Sequence, residues 1–361
     1  MKKKFIALTL AFVLLLPLIA CGGQEAAQEQ QNNSKFTAEE LAMELDFPNI
    51  PPELAAKMEL DIYMIAGQSN AAGSTNIISA KEGERDLNTY ENVRYYCNSR
   101  YINGADHGVS KEYGPVHENL GYAEGKVGPE LGMARALNDK YATNERKAII
   151  FKVASGGTSL LLSEDTVSAT GSTSERFFQR GSWLPSSLGK PEDTDPDRPT
   201  GYLTRLLKSS VEEFYADLLA RGFSAENIHF KALCWMQGET DRKSSRRYFD
   251  VFPEFAKEIR SHICTVSGQP DFVLPIVVGE ISETYTSAMP DDVTTNQKMI
   301  AVQHKLTEVV PALTVIPSSG YAMNQMENGA SVAIGSDTYH WNYHDILEIG
   351  ELFGNAAYGN Q

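Results

Sequence analysis

The stretch LDIYMIAGQSNAAGS places Ser69 two residues beyond Gly67, at the end of an apolar run. A serine hydroxyl is a poor nucleophile at neutral pH and needs a base. The chain holds seven histidines. His229 lies inside an apolar run, and His262 and His304 fall in helical patterns. His340, in SDTYHWNYHD, has Asp337 three residues before it, close enough to contact the ring from a turn. That pair supplies a general base with an orienting carboxylate. Charge developing on an acyl oxygen needs hydrogen-bond donors. The candidates are the backbone N–H groups of Ser69 and of Gly157, in VASGGTSL, and the amide of Gln237, in WMQGETD. Gln68, Asn70, Gly156 and Glu239 stand beside them as supporting residues. Each feature alone has a plainer reading. Ser69 is also a plausible turn or helix-capping serine, the glycine pair a tight turn, and Gln237 and Glu239 a polar loop.

Other chemistries fit less well. Asp337, His340 and His344 can be imagined around zinc, but HExxH and paired-cysteine patterns are missing from the sequence, and no metal is expected. GQSNAAG lacks the lysine of a phosphate-binding loop and the spacing of a dinucleotide fingerprint. It also departs from the GxSxG elbow, with Ala71 two residues after the serine.

These residues must be held by elements. Five apolar runs read as strands: MELDIYMIAG, KAIIFKVAS, NIHFKALCWMQ, DFVLPIVVGE and ALTVIPSS, with Pro275 marking an irregularity or an edge. Helical patterns span 129–140, 201–219, 246–262, 295–309 and 345–357, and a short helix is expected within 38–57. Alternation of this kind predicts an α/β domain with a mostly parallel sheet covered on both faces. In such a sheet the serine, glycine and Gln237 stretches, each directly after a strand, converge on one edge. Residues 74–127 and 161–200 resist assignment and flank that edge. Their aromatics, Tyr95, Tyr96, Tyr101, Tyr113, Phe177, Phe178 and Trp183, suit either stacking on sugar rings or pinning of the loops.

The chain opens with MKKKFIALTLAFVLLLPLIAC, three lysines and a short apolar run ending at a cysteine. Residues 1–20 read as an export signal. The end of the run resembles a bacterial lipoprotein signal box, which implies cleavage before Cys21 and lipid on its thiol. Residues 21–39 read as a flexible polar tether, and 40–361 as the catalytic domain. The expected setting is outside the cytoplasm of a bacterium, on the cell membrane through the lipid alone. Loss of the leader removes three lysines and no acids, taking the formal charge from -15 to -18. Such a charge disfavours nucleic acid and anionic lipid surfaces as partners. Cys97, Cys234 and Cys264 remain, an odd number, so at least one thiol is unpaired within the chain or bonded externally.

Taken together, the motifs resemble those of the sialate O-acetylesterase and carbohydrate esterase family 6 group of the SGNH hydrolases. The blocks are Gly67-Gln68-Ser69-Asn70, Gly156-Gly157 after a strand, W-x-Q-G-E-x-D from Trp235 to Asp241, and Asp337 with His340, spread over roughly residues 57–356. The resemblance implies a flavodoxin-like three-layer α/β/α sandwich, here with five strands. It implies hydrolysis of acetyl esters on an oligo- or polysaccharide without a cofactor. It also implies the triad Ser69, His340 and Asp337, with an oxyanion role for Gln237 where the wider superfamily has asparagine. The acidic balance points to a neutral plant polysaccharide such as acetyl xylan ahead of anionic sialate, unless local charge differs from total charge. A glycan-binding lipoprotein without catalysis is the rival class, and a lipase or thioesterase the rival chemistry.

Overall fold

The computed structural model describes residues 34–102, 105–106, 110–161, 181–189, 201–285, 290–321, 323, 326–327, 330–331, 337 and 339–359. The expected leader, Cys21 and most of the tether lie outside the described residues, as do Phe177 and Phe178. The compact unit runs from Lys35 to Gln361. Lys35 Nζ donates to Glu59 Oε1 at 2.9 Å, and Phe36 is buried. Thr37 and Glu40 cap a single turn, α1 (Ala38–Leu41), reciprocally. The last residues assigned to the tether are therefore part of the domain. A second single turn, α2 (Pro52–Ala55), follows where one short helix was expected.

The first expected strand is β1 (Glu59–Gly67). Leu60, Ile62, Met64 and Ala66 join one core cluster, and Tyr63 and Ile65 join the other. Burial on both faces explains why the run shows no polar alternation. The unassigned 74–127 region holds two long strands, β2 (Tyr90–Ile102) and β3 (Ser110–Val116), besides two-residue segments. The remaining expected strands are β4 (Arg146–Ser155), β5 (Ile228–Met236), β6 (Ile276–Gly279) and β7 (Leu313–Ile316). Their order across the sheet is β7-β6-β5-β1-β4-β2. All of these neighbours pair in parallel, while β3 and the short Ala105–Asp106 segment pair antiparallel with β2. The mostly parallel sheet is as expected, but it has more than five strands. Pro275 marks no edge: it lies just before β6, an interior strand, and its carbonyl accepts from Leu233 N at 2.9 Å.

Helices cover both faces. Buried side chains of α5 (Tyr202–Ala220), α6 (Ser245–Ser267) and α7 (Pro290–Val309) join the first cluster. Those of α4 (Pro129–Leu137) and α8 (Tyr343–Gly359) join the second. In α6 the buried set Tyr248, Val251, Phe252, Phe255, Ala256, Ile259 and Ile263 keeps the three-to-four spacing of one helical face. The three-layer α/β/α architecture follows.

Tyr95, Tyr96, Tyr113 and Trp183 are buried. Tyr96 meets Tyr113 at 4.9 Å between ring centres, and Trp183 meets Trp235 at 5.2 Å. These four pin the irregular regions to the core and do not offer faces to a sugar. Cys97, Cys234 and Cys264 stand as thiols, with Cys234 buried as expected for an apolar strand.

Candidate active site

The chain leaves β1, builds β2 two places away, returns as β4 beside β1, and then crosses to β5 on the other side. This reversal at β1 opens a crevice at the strand's carboxyl end. Gly67 ends β1 at φ +137°, and a Cβ there would lie 2.1 Å from Met236 O. Only glycine lets the exits of β1 and β5 pass so closely. Gln68 N then donates to Met236 O at 2.9 Å, and its side-chain Oε1 accepts from Thr240 N at 3.4 Å and Oγ1 at 3.3 Å.

Ser69 is the first residue inside the single turn α3 (Ser69–Ala72), whose N-cap position is held by Gln68. It is half-buried, between the buried Gln68 and Asn70. The plain capping reading is thus not realised. Among the described residues no acceptor takes the N–H of Ser69 or of Gly157. Gly157 holds φ +67° in the turn that leaves β4. Two backbone donors without internal partners are therefore free to meet an anion.

Asp337 Oδ2 bonds His340 Nδ1 at 2.8 Å, and its Oδ1 accepts from Tyr339 N at 3.1 Å. One carboxylate thus shapes the turn and fixes the ring, leaving Nε2 as the basic nitrogen. Asn70 ties this loop to the Ser69 turn. Its Oδ1 accepts from Trp341 N at 3.4 Å, and its Nδ2 lies 3.5 Å from Tyr339 O, so it grips both neighbours of His340. The same Nδ2 donates to Glu239 Oε1 at 2.7 Å. Glu239 is buried, and burial pushes its carboxyl above the usual range, against the pull of Asn70, His340 and Arg242.

Gln237 departs from expectation. Its Nε2 donates to Thr158 O at 3.1 Å and to Asp241 Oδ2 at 2.6 Å. Both amide hydrogens are engaged, so the side chain braces the site and has no donor left for an oxyanion. The Asp241 carboxylate also accepts from Ser159 Oγ and from Leu160 N. His344 does not join His340: it faces Asp345 at 3.1 Å and Glu348 at 3.3 Å on α8. The imagined zinc trio is thus not assembled.

Two cations lie in the surroundings of this loop, and Arg242 Nη1 donates to Glu239 O at 2.9 Å. The Arg242 guanidinium lies 5.0 Å from the Tyr285 ring centre, and Tyr285 packs on Tyr339 at 5.5 Å. Lys126 Nζ lies 5.7 Å from the Tyr122 ring and donates to Ser74 O at 3.1 Å; burial pushes its ammonium down, against the pull of Asp337. Sequence reasoning gave no role to Asp241, Thr240, Arg242, Lys126 or Tyr285. The one available signal was the four-residue step from Gln237 to Asp241 directly after a strand.

A parallel α/β/α sheet with a serine turn at its central strand and an Asp–His pair from a late loop is the layout of an SGNH-type ester hydrolase. Residues 201–358, which include Gln237, Glu239, Asp337 and His340, match the family model described as carbohydrate esterase, sialic acid-specific acetylesterase. No curated protein matches the chain. The fold is similar to that of NanS, with 14% identity, TM-score 0.52, and 84% of this chain and 98% of that chain covered. It is similar also to a protein of Arabidopsis thaliana, with 17% identity, TM-score 0.50, and 84% and 99% covered. Over residues 201–358 the chain is similar to this carbohydrate esterase family, and the protein is a carboxylic ester hydrolase.

Proposed function

We propose that the protein removes O-acetyl groups from carbohydrate through an acyl-enzyme, with Ser69 as nucleophile, His340 as base and Asp337 as its orienting acid. The observation that carries this is the His340–Asp337 contact of 2.8 Å, held beside the Ser69 turn by Asn70. His340 Nε2 takes the Ser69 proton as Oγ attacks the acetyl carbonyl. The N–H groups of Ser69 and Gly157 meet the developing oxyanion. His340 returns the proton to the leaving sugar oxygen, and water activated by the same ring releases acetate.

The carrier of the acetyl group is a finer matter. Total charge favours a neutral chain such as acetyl xylan. Arg242 and Lys126 bring positive charge near the His340 loop among the carboxyls of Asp337, Glu239 and Asp241, and it is local rather than total charge that a bound sugar meets. This supports the second reading, an O-acetylated acidic sugar of the sialate kind, which the description of the matched family also supports.

Acetate release is measured on acetyl xylan oligomers, acetylated mannan, acetylated pectin and O-acetyl sialic acid at equal ester concentration. A kcat/KM at least tenfold higher on the sialate supports the acidic-sugar reading, and the reverse order supports xylan. Ser69→Ala and His340→Ala are each expected to lower kcat by several powers of ten with unfolding temperatures near wild type. No acetate from any substrate leaves the non-catalytic binder. A chain-length optimum at eight or more carbons points to a lipase.

We further propose that Cys21 carries a lipid that holds the domain outside the cytoplasmic membrane of a bacterium. Its support is the lysine, apolar and cysteine pattern of residues 1–21. Labelled fatty acid that migrates with wild type and not with Cys21→Ala is the expected result.

A further inference from the structure

Strands β4 and β5 are not neighbours, because β1 lies between them. The turns that leave them nevertheless touch. Gln237, one residue past β5, donates to Thr158 O at 3.1 Å, and Asp241 accepts from Leu160 N at 2.7 Å and from Ser159 Oγ. Gln237 and Asp241 are themselves joined at 2.6 Å. Two strand spacings, roughly 9.6 Å, separate the exits that this bridge closes. It therefore crosses the carboxyl end of β1, where Ser69 begins its turn.

We propose that Asp241 is a positioning residue for the reaction, the anchor that sets the Gly157 turn against the Ser69 turn so that their two N–H groups form one oxyanion site. Three consecutive residues after Gly157 are tied through this carboxylate and its Gln237 partner. Thr158 Oγ1 donates to Ser155 O at 2.7 Å and accepts from Trp183 Nε1 at 2.9 Å, and Trp183 N donates to Ser159 O at 2.8 Å. The turn so held carries Gly157 at its start. Asp241 is 2% exposed, so water does not compete for its oxygens. A buried carboxylate with three donors is an acceptor that no neutral side chain of the same size replaces, since an amide turns one oxygen into a donor. A displacement of about 1 Å in a reacting geometry costs on the order of a hundredfold in rate.

The inference rests on the acyl-enzyme reading above, and the test separates the two. Asp241→Asn and the milder Ser159→Ala are compared with wild type on a chromogenic acetyl ester, well below their unfolding temperatures. The second probe is methylboronic acid, whose boron accepts the Ser69 oxygen and forms a tetrahedral anion shaped like the acetyl intermediate. Asp241→Asn is expected to lower kcat thirtyfold or more with KM within threefold, and to weaken boronate inhibition by a similar factor. Ser159→Ala is expected to move both readouts the same way by a smaller amount. Lower thermal stability with kcat and boronate binding within twofold of wild type would make Asp241 merely structural and overturn the inference. If Asp241→Asn does not fold, Ser159→Ala alone decides by the same two readouts. Wild-type turnover that survives Ser69→Ala would overturn the acyl-enzyme reading itself, and this inference with it.

Discussion

At the scale of single residues, burial and hydrogen bonding compete for control of the carboxylates around the site. Burial pushes the Asp241 carboxyl up to about 6, and the bonds from Ser159, Leu160 and Gln237 pull the other way without winning. The folded chain therefore holds this proton more tightly than the unfolded chain, whose value lies near 3.8. Its contribution favours the fold at pH below about 4 and is lost as pH rises through about 6, by on the order of 3 kcal/mol. Wild type minus Asp241→Asn isolates this group from the other acids. The stability difference is expected to shift against wild type between pH 4 and 6 and to be flat above pH 7. Denaturant unfolding at each pH reads it, and a difference constant across that range would show that the site titrates elsewhere. The buried amide of Gln237 is part of the same balance. Removing it withdraws one donor from Asp241 and raises that carboxyl further.

At the scale of elements, α3 is one turn long and cannot position Ser69 by its own stability. What positions it is the grip of Gln68 on Thr240 and of Asn70 on Glu239 and on the backbone of Tyr339 and Trp341. Asn70→Ala removes the second grip. It leaves the buried Glu239 carboxyl without its side-chain donor, a loss of about 1–3 kcal/mol. It is also expected to lower kcat ten- to a hundredfold with KM little changed, because the His340 loop is no longer registered to the serine. Thermal unfolding and steady-state kinetics on the same preparation separate the two effects. A kcat within twofold of wild type would assign the loop's position to Asp337 and Trp341 alone. The Trp341 ring is buried in the second core cluster, so it is the natural alternative anchor.

At the scale of the whole molecule, the folded unit starts at Lys35 and the proposed lipid site lies well before it. A chain beginning at residue 34 is expected to keep wild-type kcat/KM and unfolding temperature. A chain beginning at residue 41 loses the buried Phe36 ring, the Lys35–Glu59 contact and the Thr37–Glu40 cap. The Phe36 burial alone is worth about 1.5–3 kcal/mol. The second truncation is therefore expected to unfold several degrees lower with its chemistry unchanged, and a melting curve beside a turnover assay checks both.

The mostly parallel sheet, and the three stretches that leave its strands at one edge, were legible in the linear sequence. Buried strands such as ELDIYMIAG are continuous apolar runs, glycine must follow where two strand exits touch, and Asp337 and His340 are near enough in the chain to pair through a local turn. Each of those signals is local, so it survives in a linear reading. The two long strands within 74–127 were not legible, because β2 and β3 pair with register shifts and are rich in tyrosine and polar residues. The buried tyrosines of that region were equally open to a sugar-stacking reading until their packing was known. It took the packed fold to show that Gln237 gives its amide hydrogens to Thr158 and Asp241, that Asp241 spans the exit of β1, and that Arg242 and Lys126 lie near the His340 loop of an acidic protein. Those facts depend on which strands lie side by side and on where each amide hydrogen finds its acceptor. Partners 79 to 271 residues apart in the chain leave no periodicity to read.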